Sequence, residues 1–65
     1  MKKPIAPTLQ SLPFSQRMEV RRLFIAELGL KDARSLEPYL YGRVNVSPLA
    51  EKFIRSTFSH YGIEW

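Results

Sequence analysis

The chain has 65 residues, ten Lys/Arg against six Asp/Glu, one histidine and no cysteine. That length sets one domain, and a chain this short buries only about 60% of the surface its unfolded form exposes, so it has little stability to spare. Without cysteine there is no disulfide and no thiolate metal site. A single histidine, His60, with no carboxylate cluster around it in sequence leaves no zinc set either. Stability must come from helix packing or from association. The net charge of +4 and pI near 9.9 favour polyanionic partners, although a charge of this size also serves plain solubility. No apolar run approaches the roughly 20 residues of a transmembrane helix. The opening Met1-Lys2-Lys3-Pro4 is followed by polar and proline residues, so it does not read as a signal peptide. With no cysteine, the expected compartment is the cytoplasm.

Residues 1–14 carry Pro4, Pro7 and Pro13, and proline supplies no N–H to a helix interior. The expectation is an extended arm, tied to the body through Leu9, Leu12 and Phe14. A helical domain over 15–65 follows. Its first helix runs from about Gln16 to Leu28, with Ser15 as the capping hydroxyl and Phe14 and Glu19 completing a staple-and-acid start. Val20, Leu23, Phe24 and Leu28 recur at helical spacing. Met18, Ile25 and Ala26 widen that face, which predicts burial on more than one side. Gly29 is the stop, and Leu30 folds back on the last turn.

After the polar link Lys31-Asp32-Ala33-Arg34, Ser35 is expected to cap a short helix from Leu36 to Tyr41. Pro38 is tolerated there only because it falls in the first turn. Gly42 ends it. Ser47-Pro48, a capping hydroxyl followed by proline, starts the last helix, which runs to about Tyr61 with Leu49, Phe53, Ile54, Phe58 and Tyr61 inward. Gly62 and Ile63 fit a Schellman-type stop. No strand alternation or repeat is visible. The fold class read from the sequence is therefore all-α: a compact three-helix domain with a Pro-rich extended N-terminal arm.

The residues do not assemble an enzyme. Catalysis needs a nucleophile with a base, a carboxylate pair or a metal. His60 reads as a helix-end cation, and the acids Glu19, Glu27, Asp32, Glu37 and Glu51 fall at helix starts, helix surfaces and links. No glycine-rich phosphate loop exists. The expectation is a non-enzyme with no cofactor and no small-molecule substrate.

The segment from Arg22 to Gly42, RRLFIAELGLKDARSLEPYLYG, carries the one recognisable pattern. Ala26 is a small residue in the first helix, Gly29 makes the turn, Leu30 is its apolar follower, and Leu36 and Leu40 take inward positions in the second helix. This resembles the helix-turn-helix of the Cro/λ-repressor-like (XRE-type) DNA-binding domains and covers about a third of the chain. The resemblance implies a small DNA-binding protein of regulatory or accessory type, acting in transcription regulation, with double-stranded DNA as partner. It would place the start of the second helix in the major groove. Lys31, Arg34, Ser35 and Tyr39 would then face the DNA, with Arg34 suited to a guanine edge. Arg22 and Arg43 would take backbone phosphates, joined by Arg17 and Arg21, and Lys2 and Lys3 would follow a groove. A second reading from the same sequence is a protein-interaction module without nucleic acid, working as a homodimer or on a partner chain. It rests on small size and on the terminal aromatics Tyr61 and Trp65, since large aromatics anchor interfaces. A membrane-surface role has no continuous apolar face to support it.

Overall fold

The computed structural model describes residues 2–65. Met1, the first residue of the expected arm, lies outside them. Among the described residues the chain forms four α-helices: α1 (Ala6–Gln10), α2 (Phe14–Glu27), α3 (Glu37–Leu40) and α4 (Pro48–His60), with a 3-10 turn, Arg34–Leu36, leading into α3. The all-helical expectation holds. No helix among the described residues is long and apolar enough to cross a membrane.

The departure is the arm. Residues 6–10 are helical rather than extended, and the segment belongs to the core. Pro7 falls in the first turn of α1, where a missing N–H breaks no intrahelical bond. Ile5, Leu9 and Leu12 then stand at i, i+4 and i+7, one helical face, and all three are buried. Ile5 is fully enclosed and its N–H donates to the Leu40 carbonyl at 3.0 Å. Phe14, expected to anchor the arm, is instead 71% exposed.

Trp65 closes the other side of the same segment. It is 6% exposed, its indole Nε1 donates to the Pro4 carbonyl at 3.2 Å, and the Lys3 ammonium lies 4.8 Å over its ring. The chain ends thus meet: Trp65 holds Lys3-Pro4, and the next residue, Ile5, is bonded to the end of α3. Arg17 adds a third tie. Its guanidinium donates from Nη2 to the Leu12 carbonyl at 3.3 Å.

The centre of the core is aromatic. Phe24 is fully buried between Phe53 and Phe58, with ring centroids 5.8 and 5.7 Å away at 74° and 78°. These are edge-to-face pairs, the arrangement that sets a ring's positive edge on its neighbour's negative face. Val20, Leu36, Leu40, Val46 and Ile54 complete the buried cluster. On α4 the inner face is set by Ile54 and Phe58. Leu49, five residues before Ile54, falls at about 140° around the helix and is 83% exposed, against the expectation. On α2 only Val20 and Phe24 are fully buried; Ile25 and Leu28 are half-buried against the core, whereas Met18, Leu23 and Ala26 face solvent, so the burial is narrower than expected.

The helix ends are built by local chemistry. The Ser47 hydroxyl accepts from the Ala50 N–H at 3.2 Å with Pro48 opening α4, as its sequence predicts. α2 begins two residues earlier than expected. Pro13 stands before it and accepts from the Arg17 N–H, and no side-chain cap is made, so Ser15 is not the cap. At the far ends, Leu30, Arg43 and Ile63 donate back to Ile25, Pro38 and Phe58, while Gly29, Gly42 and Gly62 donate to Ala26, Tyr39 and Ser59. Each is the paired bonding of a Schellman motif. Tyr61, just past α4, donates its hydroxyl to Glu19 on α2 at 3.3 Å. Partial desolvation of the phenol, and then the carboxylate beside it, hold its pKa above the ordinary tyrosine value.

Gly42 has a second role. Its φ is +68°, and a Cβ there would lie 3.0 Å from the Pro4 nitrogen and 3.2 Å from Pro4 Cδ, whereas Gly29 at the same φ has nothing within 4 Å. Gly29→Ala is therefore expected to cost about 1–2 kcal/mol from the left-handed backbone alone, and Gly42→Ala clearly more, because it also pushes the N-terminal segment off the end of α3. Urea unfolding of the two variants checks this. Equal losses would mean that the segment is not seated on Gly42.

Candidate nucleic-acid interface

The candidate interface is built on the α2–turn–α3 unit. Gly29 and Leu30 close α2, and the chain then runs through Lys31, Asp32 and Ala33 into the 3-10 turn. The second element of the unit is short, a 3-10 turn followed by the four residues of α3, rather than one helix over Leu36–Tyr41. Pro38 explains the break. It has no N–H to give to the Arg34 carbonyl four residues back, so Arg34 accepts from the Glu37 N–H instead, closing a tighter turn. Leu36 and Leu40 are buried, as expected of the inward positions, and lock this element to the core.

The start of the element is capped, but not by Ser35. The Asp32 carboxylate accepts from the Ser35 N–H at 3.0 Å and from the Ser35 hydroxyl at 3.1 Å. Asp32 is therefore the capping side chain, and Ser35 is half-buried with its hydroxyl engaged. Asp and Ser compete for the same role by the same chemistry. The register is decided by which side chain stands three residues before the N–H that needs a partner.

The six residues expected at the interface divide into three groups. Lys31 and Arg34 are exposed on the loop and turn that lead into α3, and Arg43 is exposed just beyond its end. Its guanidinium lies 5.6 Å over the Tyr41 ring, a cation–π contact that orients the side chain. Ser35 and Tyr39 are half-buried: Ser35 is held by Asp32 and Tyr39 packs against the core. Arg22 is exposed on α2, two residues past Val20 and so on the side of the helix away from the buried stripe. Lys31, Arg34 and Arg43 thus flank one short element, Ser35 and Tyr39 support it, and Arg22 belongs to a different face.

Among the described residues the one ion pair is Arg55–Glu51 on α4, at 2.9 Å. The loop cations form no ion pair, with Asp32 and Glu37 exposed in the same segment. Lys3 and Arg17, read as groove and phosphate contacts, are committed elsewhere, Lys3 to the Trp65 ring and Arg17 to Leu12. Arg17 stands three residues before Val20 and seven before Phe24, a spacing that places it on the buried side of α2, and its Nε is enclosed without a hydrogen-bond partner. That spacing was the signal for its structural role. His60 is exposed, with its ring edge-to-face on Tyr61 at 5.6 Å. Among the described residues no three of His, Asp and Glu converge as a metal set. Beside the unit, an open depression of ≈ 400 Å³ between Leu28, Tyr39, Ser47, Ala50 and Phe53 carries Glu27 at its edge.

Comparison with protein-family models, with curated proteins and with solved structures finds no match.

Because Asp32 makes both bonds at the start of the second element, Asp32→Ala is expected to lower stability by about 1 kcal/mol. Ser35→Ala keeps the N–H bond and should cost less. Chemical denaturation of the two variants orders them, and a larger loss for Ser35→Ala would reverse the assignment of the cap.

Proposed function

We propose that this chain is a small DNA-binding helical domain of regulatory or accessory type, contacting duplex DNA through the α2–turn–α3 unit. The observation that carries the reading is the set of exposed cations around α3 that form no ion pair: Lys31 and Arg34 before it and Arg43 after it. Phosphate contact by Lys and Arg supplies most of non-specific DNA affinity, and an element locked from beneath by Leu36 and Leu40 presents such cations on a fixed frame. The helical part of the second element is short, which concentrates base contact on Arg34, the one guanidinium at its start, and leaves Lys31 and Arg43 to the backbone. Ser35 and Tyr39 support the element from within rather than reading bases. The sequence resemblance to Cro/λ-repressor-like domains adds the order of parts: small residue, turn glycine, apolar follower, inward leucines.

The interaction-module reading loses one of its supports, since Trp65 is buried within the chain's own fold. It gains another in the exposed apolar side chains of α2, Phe14 and Met18.

A salt titration of binding to labelled mixed-sequence duplex tests the DNA reading. Two phosphate contacts give a log–log slope of about −1.8, and Lys31→Ala and Arg43→Ala should each reduce it by about 1. Arg34→Ala should weaken binding most. Binding that does not change with salt, or none at low salt, would contradict the proposal.

A further inference from the structure

α2 carries two apolar stripes: the core covers one, and of the other only its end, where Ile25 packs against the core. Val20 and Phe24 point into the core. Phe14, Met18 and Ile25 stand at i, i+4 and i+11, which at about 100° per residue places them in a single arc beside the buried face. The stripe spans about 16 Å along the helix. Phe14 is 71% and Met18 36% exposed, and Ile25 is half-buried at its far end. Exposed aromatic and thioether side chains in a row are not needed for this fold, since nothing in the core depends on Phe14.

Charge on α2 is sorted around that stripe. By the same helical geometry Arg21 lies along one edge and Arg22 along the other, Arg21 half-buried and Arg22 exposed. The carboxylates of α2 lie elsewhere. Glu19 accepts from Tyr61, which follows α4, and Glu27 borders the depression at the start of α4, so both are turned toward that helix. The outer face is therefore apolar in the middle, cationic on both edges and free of acid.

We infer that this face docks an acidic amphipathic helix of a partner protein. The partner's apolar stripe packs along Phe14, Met18 and Ile25 in the helix-on-helix manner, and its flanking carboxylates meet Arg21 and Arg22. Arg22 thus serves this face rather than the DNA. A second copy of the chain does not fit, because a two-fold pairing of α2 with itself brings arginine edges against arginine edges. Bare phosphate offers nothing to the phenyl and thioether groups, and three side chains give a membrane too little apolar area to hold. The inference deepens the interaction reading and is independent of the DNA reading, which stands on the loop cations.

The test uses ¹⁵N-labelled full chain and a synthetic amphipathic helix with leucines on one face flanked by glutamates. The expected result is salt-sensitive binding with a Kd on the order of ten micromolar, as befits a small interface, with amide shifts at Phe14, Met18, Arg21, Arg22 and Ile25. The same peptide with lysine for glutamate should not bind. Phe14→Ser should weaken binding at least tenfold without lowering Tm or DNA affinity, since its side chain is 71% exposed. Arg21→Glu with Arg22→Glu should transfer binding to the lysine peptide. No binding of the acidic peptide, or equal binding of both peptides, overturns the inference. So do the same shifts with phosphatidylglycerol vesicles alone, or concentration-dependent self-association through these residues. Shifts confined to Leu49 and Tyr41 would keep an interaction module and overturn this surface.

Discussion

Everything in this small fold depends on Ile5 being inside it. A chain of 65 residues without cysteine has no crosslink to hold its ends, and its helices are too short to be stable alone. The N-terminal segment supplies the missing closure. Ile5, Leu9 and Leu12 fill one side of the core, and the Ile5 N–H satisfies the Leu40 carbonyl, which the brevity of α3 would otherwise leave without a partner within its helix. Trp65 then covers the segment from the opposite end of the chain. Local helix formation, apolar burial and backbone satisfaction all converge on the same few residues.

That closure shapes the surface available for binding. Because Lys3 lies on Trp65 and Arg17 is drawn onto Leu12, two of the chain's cations are spent on structure. Of the rest, Lys31, Arg34 and Arg43 lie around α3 and Arg21 and Arg22 on the outer side of α2, while Lys52 and Arg55 lie on α4, where Arg55 pairs with Glu51. The Schellman ends at Gly29 and Gly42 fix where the loops leave the helices, so Lys31, Arg34 and Arg43 are carried on defined turns rather than on loose chain. The DNA proposal uses the first group and the partner-helix inference the second, so one molecule can hold both contacts without competition between them.

What was legible in the sequence was what depends on neighbours along the chain. Ser47-Pro48 specifies the start of α4 by itself, and the glycines specify three helix stops, because a cap needs only the residues within one turn of it. Leu36 and Leu40 were read as inward from their spacing, and they are. The arm was misread because three prolines speak locally against helix, while the arguments for it are non-local: the Leu40 carbonyl, the Gly42 backbone and the Trp65 ring lie 35 to 60 or so residues away in sequence. The spacing of Ile5, Leu9 and Leu12 was nonetheless on view. Leu49 and Met18 were read as core because periodicity names an apolar face without saying how wide a stripe the neighbouring helices can cover. At the candidate interface the cations Lys31, Arg34 and Arg43 were placed correctly as exposed. Ser35 does not cap because the residue three on is Pro38, which has no N–H to offer it, while Asp32 accepts from the Ser35 N–H itself.

The most direct measurement is amide hydrogen exchange at Ile5. If the N-terminal segment is part of the core, this amide, bonded to Leu40, opens only when the whole domain unfolds, and its protection should match that of Phe24 and Ile54. Exchange at Ile5 near the rate of unstructured peptide, while Ile54 stays protected, would mean that the segment is a free arm and would contradict the account at its root.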